Sequence, residues 1–66
     1  MNRKELIDIG VKCSEIRKKC GYTQKELAIQ FQIPQTQLAN FEYGKVNNAV
    51  IYHWYLALAK EYKIEV

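Results

Sequence analysis

Apolar residues recur along the chain at helical spacing in four segments. Leu6, Ile9, Cys13, Ile16 and Cys20 follow one another by three or four residues, which predicts a helix from Arg3 to Lys19 or Cys20 with a single apolar stripe. Gly10 falls inside it at a helix-propensity cost of about 1 kcal/mol, and Gly21 supplies a left-handed stop. Thr23 and Glu26 have the spacing of a capping box, and Leu27, Ala28 and Phe31 repeat behind them, predicting a helix of about nine residues. Pro34, with no N–H to give and a fixed φ, suits the first position of a new helix. That helix covers Gln35 to Tyr43 and ends at Gly44. It turns Leu38 and Phe41 inward, with Ala39 small enough for a neighbour to approach, and leaves Gln35, Thr36, Gln37 and Asn40 outward. Asn48 is placed to cap a last helix over about residues 49–63.

The stretch from Thr23 to Gly44 thus reads as two short helices joined by a tight turn, the pattern of a helix-turn-helix. At these residues the chain resembles the Cro/repressor (Xre-like) helix-turn-helix family of small phage and bacterial regulators. The resemblance rests on the T-Q-x-E-L-A run at Thr23, Gln24, Glu26, Leu27 and Ala28, on Glu42, Gly44 and Lys45, and on Arg17 four residues before Gly21. It implies an all-α, compact bundle of four to five helices, DNA binding through the second helix of the motif, and a homodimer. It also implies a partly buried ion pair between Arg17 and Glu42; Arg17 lies at the edge of the first stripe, where it can reach inward.

Three positions depart from the family pattern. The turn carries Gln32 in place of glycine, and a left-handed conformation there costs a non-glycine residue roughly 1 kcal/mol or more. Pro34 stands where a Ser or Thr cap is usual, and the segment after Gly44 is longer than usual.

The last helix speaks about partners. Ile51, Tyr55, Leu58 and Tyr62 form its expected core stripe, but Val50, Trp54 and Ala57 extend the apolar surface on one side and Tyr52, Leu56 and Ala59 on the other. Only His53 and Lys60 mark a polar face. A helix apolar over most of its circumference calls for cover, so a twofold homodimer through Val50, Trp54 and Ala57 is expected.

Sixty-six residues make one domain near the lower limit for a core without disulfides or metal. No apolar run is long enough to span a membrane, and the charged N-terminus has no signal-peptide core, so a cytoplasmic bacterial or phage protein is expected. Cys13 and Cys20 lie about 10 Å apart on one predicted helix, too far for a bridge, and no metal-ligand spacing occurs. Neither a cofactor nor a small-molecule ligand is expected. An enzyme is disfavoured, since no nucleophile–base arrangement or phosphate loop is present. The net charge of +3 is modest, but seven of the ten basic residues lie in the first 25 positions.

The chemistry of the motif's second helix favours double-stranded DNA. Glutamine and asparagine amides match the donor and acceptor of adenine in the major groove, and a threonine methyl matches thymine's. Gln35, Thr36 and Asn40 have that chemistry on one face, and the resemblance places base reading at the start of this helix. It places phosphate contacts at Gln24 and Gln37. Lys25, Tyr43, Lys45 and Asn47 flank the motif and suit phosphates too. With no arginine or lysine between Pro34 and Tyr43, A/T-containing half-sites are expected. The leading expectation is a transcriptional regulator, acting as a repressor, that binds a palindromic operator as a homodimer. The alternative is a protein-interaction module, of the antitoxin kind, that retains the fold.

Overall fold

The computed structural model describes residues 2–65, which form four helices and no strand: α1 (Arg3–Lys19), α2 (Gln24–Phe31), α3 (Gln35–Glu42) and α4 (Ala49–Glu61). The architecture is the expected all-α bundle, with α1 packed on α3 and α4, and α2 packed on α3. No helix among the described residues is long and apolar enough to cross a membrane.

Side chains close three of the four helix starts. The capping box forms as its spacing predicts: the Thr23 hydroxyl accepts from the Glu26 N–H at 3.1 Å and the Glu26 carboxylate accepts from the Thr23 N–H at 2.9 Å. Asn48 accepts from the Ile51 N–H at 3.1 Å, and Asn2 does the same for Glu5 at 2.9 Å. Pro34 does not occupy the first helical position as expected. Its ψ of 142° is extended, so it precedes α3, and its carbonyl accepts from the N–H groups of Gln37 and Leu38. The pyrrolidine ring fixes φ alone, leaving ψ free to take the value of a capping residue.

All four helices end alike. A left-handed residue follows the last turn, and two N–H groups fold back onto helix carbonyls, the first from that residue and the second from its successor. Gly21 (φ 85°) and Gly44 (φ 76°) fill this position after α1 and α3. Gln32 (φ 60°) fills it after α2 and Lys63 (φ 56°) after α4, each without the freedom of glycine. The turn from α2 to α3 is therefore built on the left-handed Gln32, and α3 stops at Glu42, one residue earlier than expected.

The core is Cys13 and Ile16 of α1, Leu27 and Ala28 of α2, Leu38 and Phe41 of α3, and Ile51, Tyr55, Leu58 and Ala59 of α4. Tyr55 sits at its centre, stacked on Phe41 with ring centroids 5.8 Å apart and edge-on to Phe31 at 5.5 Å. Tyr62, expected in the core stripe, is instead 45% exposed. The left-handed turn at Lys63 brings the Ile64 N–H back to the Ala59 carbonyl at 2.8 Å and lays Ile64 against the core in its place. The Tyr62 hydroxyl lies 3.1 Å from that of Tyr22, the two rings meeting edge to face.

At Gly10 the backbones of α1 and α3 meet. A Cβ there would lie 2.1 Å from the Glu42 carbonyl oxygen, so the two backbones touch with no side chain between them. Gly44 extends the contact, since a Cβ at that position would come within 2.7 Å of the Ile7 Cα.

Two substitutions at glycine-sensitive sites have opposite expected signs. Gly10→Ala gains about 1 kcal/mol of helix propensity but forces two backbones apart, at a cost of about 1–3 kcal/mol or more, so thermal unfolding shifts downward. Gln32→Gly relieves the left-handed strain and is neutral to stabilising by up to about 1 kcal/mol. A drop in melting temperature for Gln32→Gly, or a rise for Gly10→Ala, contradicts this account of the turn or of the helix contact.

Candidate nucleic-acid interface

Beyond the apolar core, what holds α3 is a single carboxylate. Arg17 projects from the last turn of α1 and grips Glu42 with two parallel bonds, Nε to Oε2 at 2.8 Å and Nη2 to Oε1 at 3.1 Å. Its remaining nitrogen, Nη1, donates to the Tyr22 carbonyl at 2.9 Å. Gln24, the first residue of α2, donates Nε2 to Glu42 Oε1 at 3.1 Å, and the buried Tyr55 hydroxyl of α4 donates to Oε2. One side chain of α3 thus accepts from each of the other three helices. Both members of the ion pair, which the resemblance implies to be partly buried, are buried.

Burial alone pushes the Glu42 carboxyl up, but the hydrogen bonds from Arg17, Tyr55 and Gln24 outweigh it and hold the group below its ordinary value of 4.5. The Tyr55 phenol is raised above its ordinary 10 by burial and by the carboxylate it serves. Burial and Glu42 also push the Cys13 thiol up to about 12, so it is a protonated core residue. Cys20 is likewise a free thiol, and among the described residues no three His, Cys, Asp or Glu side chains gather as a metal site.

With the C-terminal end of α3 fixed, its outward face is defined. Leu38 and Phe41 point into the core, while Gln35, Thr36 and Gln37 are exposed and Asn40 is half-buried beside them. Thr36, Asn40 and Tyr43 succeed one another by four and three residues and continue this face to the end of the helix. Tyr43 is 60% exposed, and the exposed Lys45 carries its Nζ 6.0 Å from the centre of the tyrosine ring. Lys25 and Asn47 are exposed. Gln24 is drawn inward: one amide hydrogen serves Glu42, leaving its second for an outside acceptor.

The α4 residues expected at a dimer contact are not equally open. Val50 is 58% exposed and Ala57 is exposed, whereas Trp54 is half-buried, its ring leaning on Phe31 at a centroid distance of 5.4 Å. Between the end of α2 and α4 runs a shallow groove lined by Gln30, Phe31, Trp54, Ala57, Leu58 and Glu61.

Sequence reasoning missed two parts of this arrangement, the Gln24 and Tyr55 bonds to Glu42. A tyrosine in a core stripe carries a hydroxyl that needs a buried partner, and that requirement was the available signal. Comparison with protein-family models, curated proteins and solved structures finds no match.

The buried carboxylate sets the pH response. A carboxyl depressed on folding contributes stability that is fully present above its unfolded value and is lost as pH falls through the folded value. The phenol, raised on folding, contributes stability that is lost once pH climbs past 10. Glu42→Ala strands a buried arginine and is expected to cost about 3–5 kcal/mol, enough to unfold most of so small a domain at 37 °C. In thermal melts, the gap between the parent and Glu42→Gln narrows as pH drops below the carboxyl range. A gap independent of pH, or a Glu42→Ala variant that melts like the parent, contradicts the role given to the pair.

Proposed function

We propose that the chain is a sequence-specific DNA-binding transcriptional regulator, with α2, the Gln32–Pro34 turn and α3 acting as a helix-turn-helix. The observation that carries this reading is the face of α3, an uncharged row of amide and hydroxyl side chains held outward while the opposite face is clamped by the core and by Glu42. Gln35, Thr36 and Asn40 read base edges in the major groove, where amides pair with adenine and the threonine methyl packs on thymine. Gln37, the free amide hydrogen of Gln24, and Lys25, Tyr43, Lys45 and Asn47 meet the phosphates on either side. The regulator works as a homodimer through α4 in the cytoplasm. Its twofold axis places two recognition helices about 34 Å apart, in successive major grooves of a palindromic site. Occupying a promoter then represses it.

The resemblance of Thr23–Ala28 and Glu42–Lys45 to the Cro/repressor family supports this assignment. So does the clustering of basic residues in the first 25 positions.

Fluorescence anisotropy on the DNA just upstream of its own gene tests the reading. Binding is expected to weaken steeply as salt rises, because phosphate contacts release counterions. Gln35→Ala/Asn40→Ala is expected to lose preference over random DNA, at about 1–3 kcal/mol for each base contact removed, while melting like the parent. Binding no tighter than to random DNA, and unchanged in the double variant, counts against base reading by α3 and favours a protein-interaction module built on the same fold.

A further inference from the structure

Val50, Trp54, Ala57 and Glu61 succeed one another on α4 by four, three and four residues. They fall within about 60° of arc at 100° per residue, a seam directly beside the core-facing Ile51 and Leu58. Its members differ in two useful ways. Trp54 is the largest side chain of the seam and stands as one wall of the groove, while Ala57 is the smallest and leaves a gap in the same groove. Glu61 is charged and lies at the C-terminal end of α4, the wrong end of its own helix dipole, whereas the first turn of α4 contains no acidic residue at all.

Both features are resolved by one arrangement. We infer that α4 pairs with α4 of a second copy in antiparallel register, about a twofold axis between Trp54 and Ala57. Trp54 of each copy then fills the gap over Ala57 of the other, and each Glu61 carboxylate lies at the partner's Val50, beside N–H groups of the first turn of that α4. A parallel pairing would set Trp54 against Trp54 and Glu61 against Glu61. A seam this narrow and nearly free of charge suits a second copy better than a charged partner, with His53 and Lys60 left outside it. The inference rests on the homodimer of the preceding reading and adds its register.

Charge swaps test the register. Val50 and Glu61 lie about 16 Å apart along one helix, so within one copy they do not couple. In sedimentation equilibrium of the full chain, Val50→Glu is expected to weaken the dimer about tenfold or more by facing Glu61 of the other copy. Val50→Glu/Glu61→Lys is expected to recover most of that loss. Trp54 is the single tryptophan, so its emission is expected to shift to shorter wavelength over the same concentration range in the parent and the double variant, and at about tenfold or more higher concentration in Val50→Glu. A dimer in which the double variant is as weak as Val50→Glu overturns the antiparallel register while leaving a homodimer standing. A dimer unaffected by Val50→Glu overturns the use of this seam. A parent that is monomeric at every concentration removes the homodimer and the register together. Circular dichroism identical to the parent's shows that the variants fold.

Discussion

Glu42 imposes the constraint on which the rest of the structure depends. A carboxylate removed from water must be fully hydrogen-bonded or it destabilises the state that buries it. Here its donors come from residues 17, 24 and 55, on three different helices. Each oxygen accepts two bonds, Oε1 from Arg17 and Gln24 and Oε2 from Arg17 and Tyr55, so the full set of four is made only when all four helices are in place. In a chain of 66 residues, whose apolar core is small, such a rule favours one arrangement over near-relatives by penalising incomplete ones. The aromatic packing lies beside it: the ring of Tyr55, whose hydroxyl donates to Glu42, stacks on Phe41, the residue just before the carboxylate.

The outward face of α3 gains its definition from the same constraint. An eight-residue helix has little intrinsic stability in water, so the orientation of Gln35, Thr36 and Asn40 is inherited from what holds the buried side. Leu38 and Phe41 set its rotation through apolar burial, and Glu42 sets its position along the axis. The proposed DNA contacts therefore draw their geometry from α1 and α4, although neither helix supplies a base-reading side chain.

Much of this was visible in the chain itself. The capping box, the left-handed Gly21 and Gly44, the Asn48 cap and the boundaries of α1 are local features, decided by residues within a turn of one another. The Arg17–Glu42 pair was legible only through resemblance, since nothing in spacing alone joins residues 25 positions apart. Three things escaped for a related reason. Gly10 looked like a weakness in a helix because its benefit lies on another helix, at the Glu42 carbonyl. Tyr62 looked like core because periodicity does not say where a helix ends, and Ile64 folded back to fill the space. Trp54 was expected at a dimer contact, and the periodicity of α4 says nothing of Phe31, against which its ring leans from α2.

The contact of two backbones at Gly10 has a consequence for motion. With no side chain between them, α1 and the last turn of α3 have no compressible layer in which to slide, and interiors packed this closely transmit strain rather than absorb it. The opposite end of α3 has no such restraint: Pro34 offers no side-chain cap, and the residues that follow it are exposed through Gln37. The backbone contact thus restrains the C-terminal end of the helix, while the side chains of its first turn face solvent. The end proposed to enter the groove is the one away from this contact, so base-reading side chains can be exchanged there without disturbing the meeting of the two backbones.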